Sequence, residues 1–100
     1  MTPISKQLKP SKQLKHNLRR RAHELKTVVI VGNQGLTEAV HLEIERALIA
    51  HELIKIKINA EDKTSRGNMI DEIGKTHDAQ VIQTVGHIAV FYRLNPKSFS

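Results

Sequence analysis

The hydrophobic pattern of the chain is organised around residues 28–31, four consecutive β-branched apolar residues. Such a run predicts a short strand that is buried on both faces. The run stops at Gly32-Asn33-Gln34-Gly35, hereafter the glycine turn, and apolar residues at helical spacing begin just after it. The sequence therefore predicts a strand, a tight turn and a helix in direct succession.

Apolar residues at helical spacing predict one helix on each side of this strand. The earlier helix begins with Ser11 near its N-cap, and the later one runs from about Thr37 to His51. The apolar stripe of the earlier helix is Leu14, Leu18, Ala22 and Leu25, and the inner face of the later helix is Leu36, Val40, Ile44, Ala47 and Leu48.

Three further elements complete the predicted fold. Ile54, Ile56 and Ile58 alternate with Lys55 and Lys57, which predicts a strand with one dry face and one face that carries two lysines. A helix over residues 62–77 follows, with Met69, Ile70 and Ile73 inward. Strands over 79–85 and 88–93 then flank Gly86 and His87 in a type II′ turn. The order is α-β-α-β-α-β-β, and the predicted fold class is α/β, a single compact domain with a mixed four-stranded sheet.

The composition fits one such domain. The chain has 100 residues, 39% of them hydrophobic, and no cysteine, so disulfides and thiolate metal sites are excluded. No apolar run reaches the length of a membrane span and no apolar segment follows the basic N-terminus, so a cytoplasmic protein is expected. Residues 5–9 nearly repeat as 11–15. We predict a flexible basic extension over 1–10, the domain over 11–95 and a loose tail over 96–100.

The positive charge is concentrated in the first quarter of the chain. Residues 1–26 contain eight basic residues and one acidic residue, whereas residues 27–100 contain eight basic and nine acidic residues. Local density of positive charge is typical of a surface that binds a polyanion such as RNA. The same positive charge is also expected of a solubilising tail, or of a segment that binds an anionic lipid surface or an acidic protein partner.

No arrangement of residues indicates catalysis. The six histidines include no H-E-x-x-H pair and the aspartates have no EF-hand spacing, so no metal and no cofactor are expected. The glycine turn lacks the Gly-Lys-Ser/Thr ending of a nucleotide-binding loop. The sequence indicates a non-enzyme, and the alternative it leaves open is an enzyme that holds a phosphorylated small molecule in the glycine turn.

The glycine turn itself is predicted to hold an anionic oxygen. Two glycines allow positive φ and leave no side chain over the backbone amides, which then point outward at the start of a helix. Glu38 in the first helical turn opposes this by placing a negative charge nearby.

Several of these motifs together resemble the CRM RNA-binding domain, and most closely its stand-alone bacterial members. The resemblance covers residues 11–95 and rests on residues 18–23, 28–37, 51–57 and 86–93. It implies a fold similar to the C-terminal domain of translation initiation factor three and a G-x-x-G loop that binds RNA. It also implies association with precursors of the large ribosomal subunit, and we expect a monomer without a small-molecule substrate.

One departure from the family pattern affects the expected site. The middle residues of the glycine turn are uncharged here, so they can donate hydrogen bonds to phosphate without adding charge. Positive charge must then come from elsewhere. The predicted RNA-binding residues are Gly32, Asn33, Gln34, Gly35, Lys12, Lys15, Arg19, Arg20, Arg21, Lys26, Lys55, Lys57 and Arg93.

Overall fold

The computed structural model describes residues 11–95, so the predicted extension and tail lie outside the described residues. The elements follow the predicted order. They are α1 (Lys12–Ala22), β1 (Thr27–Val31), α2 (Glu38–His51), β2 (Leu53–Ile58), α3 (Lys63–His77), β3 (Gln80–Val85) and β4 (Ile88–Tyr92).

The four strands form one mixed sheet in the order β1-β2-β4-β3, which confirms the predicted fold class. β1 is parallel to β2, and β4 is antiparallel to both of its neighbours. Gly86 has a φ of +56° and His87 does not have a positive φ, as the predicted type II′ turn requires. The last strand therefore folds back between β2 and β3, and β1 is left at an edge of the sheet.

Each helix begins with a side-chain cap, and the cap at Ser11 is the one that the sequence analysis predicted. Ser11 Oγ accepts from the Leu14 amide at 3.1 Å, Thr37 Oγ1 from Val40 at 3.2 Å and Asp62 Oδ1 from Ser65 at 2.7 Å. In each case the cap satisfies an amide that has no partner inside its helix.

The helices cover the two faces of the sheet unequally. Helices α2 and α3 pack on one face, where the main core forms around fully buried residues such as Ile44, Ile56 and Phe91. On the other face, α1 packs alone. Its Leu18 and Ala22 contact a smaller cluster formed by Leu53, Ile82 and Val90.

The prediction that β1 is buried on both faces is wrong. Val29 and Val31 are buried in the main core, but Val28 is 47% exposed and Ile30 is 59% exposed. The reason is topological, because α1 packs over β2, β3 and β4 and leaves the same face of the edge strand β1 uncovered.

The predicted stripe of α1 is only partly correct. Leu18 and Ala22 are buried, whereas Leu14 is 38% exposed. The helix ends at Ala22, so Leu25 lies beyond it, although its side chain still packs against the smaller cluster. The apolar contact of α1 with the sheet therefore involves its second half.

A chain of polar contacts joins α2, α3 and the end of β4. Arg93 donates two hydrogen bonds to Glu45, at 2.9 Å and 2.8 Å, and another to the carbonyl of His77 at 3.0 Å. His77, which is buried, contacts Glu45 at 3.0 Å and His41 at 2.9 Å, and His41 reaches Glu72 at 3.2 Å. These contacts fix the two helices to each other and to the sheet.

The same contacts change the acidity of Glu45. The Arg93 guanidinium lowers the pKa of this carboxyl to about 2, and His77 acts in the same direction against the opposing effect of burial. A carboxyl whose pKa is lowered on folding stabilises the fold above its unfolded pKa, and that contribution is lost as the pH falls toward the folded value.

We therefore expect Glu45→Gln to lower the free energy of unfolding at pH 6. As the pH falls to 3, the free energy of unfolding should fall less in this variant than in the wild type. Urea unfolding at pH 6, 4 and 3 measures this. The matched control is Glu43→Gln, an exposed carboxyl on the same helix. If the free energies of unfolding of wild type and Glu45→Gln differ by the same amount at all three pH values, the lowered pKa of Glu45 is contradicted.

Candidate nucleic-acid interface

The glycine turn is a tight turn closed by its own backbone. The Gly35 amide donates to the Gly32 carbonyl at 3.0 Å, and the Thr37 amide donates to the Gly35 carbonyl at 3.1 Å. Gly35 has a φ of +76°, as a glycine at this position allows. Of the two glycines of the turn, Gly35 uses this freedom and Gly32 does not have a positive φ.

Gly32 is not required by the protein's own packing. A Cβ built on Gly32 meets no atom within 4 Å, and the residue is exposed. At Gly35, by contrast, the same Cβ would contact Met69 Cε at 3.7 Å, an ordinary contact distance. The open space above Gly32 lets another molecule approach the backbone closely.

Several amides in and after the glycine turn have no acceptor within residues 11–95. They include the amides of Asn33, Gln34 and Leu36, and the side chains of Asn33 and Gln34 are exposed as well. The turn thus presents neutral donors at the point where α2 begins, and Glu38 stands exposed in the first turn of that helix.

The glycine turn also borders a cleft at the carboxyl ends of β1 and β2. The cleft has a volume of about 410 Å³ and opens between the turn, the start of α3 and the β3–β4 turn. Its lining is Asn33, Asn59, Ala60, Glu61, Ser65, Met69 and His87.

The basic residues of α1 lie outward from the helix stripe that contacts the sheet. Arg19 is exposed, yet its Nε donates to the Ile82 carbonyl at 3.2 Å, so the guanidinium is held over β3. Arg20 and Arg21 are exposed in the last helical turn, where cations are favourable for the helix dipole. Lys12 and Lys26 are exposed and Lys15 is half-buried.

Lys55 and Lys57 lie on the same side of the sheet as α1. Their neighbours Ile54, Ile56 and Ile58 are buried in the main core, so alternation along β2 places the two lysines on the opposite face. Lys57 is exposed, and Lys55 is half-buried where it borders the end of α1.

Arg93 is not brought together with the other predicted site residues. Its side chain is only 14% exposed and forms the ion pair with Glu45 described above. No sequence pattern indicated this pairing, since the partners are 48 positions apart.

The structure separates charge by layer. The segment 11–26, which includes α1, contains six basic residues and one acidic residue, and the strands themselves contain two lysines and no acidic residue. The segments 32–52 and 59–79, which include α2 and α3, contain nine acidic and four basic residues. The sequence revealed the basic first quarter, but the position of α2 and α3 on the face opposite α1, with most acidic residues on or beside these two helices, depends on the topology.

Neither metal nor membrane features emerge within residues 11–95. No group of three or more His, Asp or Glu side chains is arranged to hold a metal ion, even where His41 and His77 meet. None of the helices described there has the length and apolarity needed to cross a membrane.

With this geometry established, comparison with known proteins identifies the class. The family model of the CRS1 / YhbY (CRM) domain matches residues 11–93. The chain therefore belongs to the CRS1 / YhbY (CRM) domain family, which confirms the resemblance seen in the sequence.

Comparison with individual proteins is consistent with this family. The chain is 44% identical over 75 residues to a Pseudomonas aeruginosa protein named a probable RNA-binding protein, covering 75% of this chain and 72% of that protein. It is 45% identical over 83 residues to a Haemophilus influenzae RNA-binding protein, covering 83% and 84%. The solution structure of a hypothetical Staphylococcus aureus protein has the same fold, with a TM-score of 0.76, 22% identity, and coverage of 87% and 91%.

The two glycines of the turn should respond differently to an added methyl group. Gly35→Ala forces a left-handed conformation on an L-residue and should lower the free energy of unfolding by about 1–2 kcal/mol. Gly32→Ala should change it by less than about 0.5 kcal/mol, because neither φ nor packing opposes the methyl group. Urea unfolding of both variants measures these free energies. An equal loss of stability in the two variants would contradict the assigned backbone conformations of Gly32 and Gly35.

Proposed function

We propose that this protein is a non-catalytic RNA-binding protein that holds the RNA backbone between the glycine turn and the basic helix α1. We further propose that its RNA is a precursor of the large ribosomal subunit. The separation of charge by layer is the observation that carries the proposal.

The charge distribution favours a polyanion on one side of the sheet. On the α1 side, the basic side chains of α1 stand beside Lys55 and Lys57, and a single acidic residue, Glu24, is present in the helical segment. Phosphate contacts are additive and depend on this local density. The segments 32–52 and 59–79, which include α2 and α3, hold nine acidic and four basic residues and disfavour RNA, so we expect binding on the α1 side.

The glycine turn contributes hydrogen bonds rather than charge. The amides of Asn33, Gln34 and Leu36 point to no acceptor within residues 11–95, and Gly32 leaves room for a phosphate to approach them. Since backbone amides at a helix start favour anions, the turn fixes the position of the backbone while α1 supplies the countercharge.

The family supports the choice of RNA over other polyanions. The relatives from Pseudomonas aeruginosa and Haemophilus influenzae are both described as RNA-binding proteins. The proposal of a ribosomal target rests on the resemblance to the stand-alone bacterial members of the family.

The contribution of α1 is tested by the salt dependence of binding. Removing one phosphate contact in Arg20→Ala or Arg21→Ala should weaken binding to RNA fragments and lower the slope of log K against log salt by about one unit. Lys75→Ala on α3 is the matched control, since it removes one exposed positive charge from the opposite layer. Slopes unchanged in both arginine variants would exclude these residues from the interface.

The contribution of the glycine turn is tested by adding a carboxylate to it. Gly32→Asp should reduce RNA affinity about tenfold or more at low salt, because a negative charge then occupies the proposed phosphate position. Gly67→Asp, which adds the same group in open space on α3, should bind normally. Equal affinities of the two folded variants would remove the turn from the site.

The ribosomal target is tested with fragments of large-subunit precursor RNA and unrelated RNAs of equal length. Preference for the precursor fragments is the expected result, and equal affinity would remove the ribosomal part of the proposal. Failure of the wild type to bind any RNA at low salt would remove the function itself and favour an acidic protein partner.

A further inference from the structure

A row of side chains crosses the uncovered part of the sheet beside α1. Ile30 pairs with Lys57, Lys57 pairs with Ile88, and Val85 pairs with Ile88, so these four residues span all four strands. Their neighbours Val31, Ile56, Ile58 and Ala89 are buried in the main core, so the row lies on the α1 face. We call these four residues the open strip.

The open strip contains three apolar residues and the positively charged Lys57, and all of them except the half-buried Ile88 are exposed. Ile30 is 59% exposed and Val85 is 61% exposed, while Lys57 is exposed between them. On one side the strip continues into a groove of about 200 Å³ under the end of α1. The groove is lined by Ala22, His23, Lys55, Gln83, Val85, Ile88 and Val90.

The open strip lies between the two parts of the proposed interface. Ile30 is two residues before Gly32, a distance of about 7 Å along a strand. The groove reaches the strip from the opposite side, where α1 ends at Ala22 and His23. A polymer that contacts both the glycine turn and α1 therefore passes over this row.

We infer that the open strip and its groove bind the unstacked bases of single-stranded RNA, an inference that rests on the proposed function. The aliphatic side chains contact the faces of the bases, and Lys57 and Lys55 pair with the flanking phosphates. Gln83 offers an amide donor and acceptor to a base edge inside the groove.

The chemistry of the strip distinguishes single strands from a duplex. An A-form helix presents phosphates and 2′-hydroxyl groups on its surface and keeps its base faces stacked inside. Aliphatic side chains are desolvated only by exposed base faces, so a duplex would leave Ile30 and Val85 without an apolar partner. The strip contains no aromatic ring, so the contact is apolar burial rather than ring stacking.

Charge complementarity favours RNA over a second copy of the chain. The strip and its groove contain two lysines and no acidic residue, and the basic residues of α1 lie alongside. Two copies that met through this face would bring like charges together, which is unfavourable.

The inference is tested with a single-stranded 12-mer and a duplex of the same sequence as probes. Ile30→Ser and Val85→Ser should each weaken single-strand binding about fivefold, since each loses about 1 kcal/mol of apolar burial. The slope of log K against log salt should stay unchanged, because no charge is removed. Lys57→Met should instead lower the slope by about 0.7.

Ile49→Ser and Leu42→Ser are the matched controls. They remove side chains of similar exposure, 56% and 50%, from the outer face of α2, and should bind the single strand as the wild type does. The wild type should bind the duplex more weakly than the single strand, and the two strip variants should leave duplex binding unchanged.

The outcomes separate the two proposals. If the wild type binds RNA but Ile30→Ser and Val85→Ser bind the single strand as tightly as the controls, the strip is excluded while the proposed function stands. A change in sedimentation of these variants without a change in RNA affinity would assign the strip to a dimer contact instead. No binding of either probe by the wild type would overturn the proposed function together with this inference.

Discussion

The packing of Leu18 and Ala22 against Leu53, Ile82 and Val90 determines which side of the molecule is basic. Without this contact the charged half of α1 would have no fixed relation to the sheet. With it, three consecutive arginines and the two lysines of β2 lie on one side. Helices α2 and α3 lie on the other side, in segments that hold nine acidic and four basic residues. A small apolar cluster therefore holds most of the basic residues of the domain on one side of the sheet.

The proposed interface contains neutral hydrogen-bond donors in one part and charged side chains in another. The glycine turn offers backbone amides but no cation, and α1 offers cations but no fixed hydrogen-bond geometry beyond the anchored Arg19. Such a division is physically reasonable because amides at a helix start position a phosphate, whereas lysine and arginine side chains supply most of the salt-dependent affinity. The uncovered face of β1 joins the two parts.

Features set by local chemistry could be predicted from the sequence. Ser11, Thr37 and Asp62 cap the helices, and Gly86 forms the hairpin turn, because each depends on residues within three or four positions. The mixed sheet followed from the alternation of helices and strands.

Features set by distant parts of the chain could not be predicted. A run of β-branched residues reads the same in a fully buried strand and in an edge strand with one open face, so the exposure of Val28 and Ile30 was missed. Likewise, Arg93 was assigned to the interface as a source of positive charge. Its ion pair with Glu45 was missed because the two residues lie on different elements, 48 positions apart. For the same reason the contact between His41 and His77 had no signal in the sequence.

NMR amide shifts can map the RNA contacts of the protein directly. Adding a short single-stranded RNA should shift the amides of the glycine turn, of α1 from Arg19 onward and of β2 around Lys57. The amides on the outer faces of α2 and α3, including those of Leu42 and Lys75, should stay unchanged. Shifts concentrated on α2 and α3, with none in α1 or the glycine turn, would contradict the proposed interface.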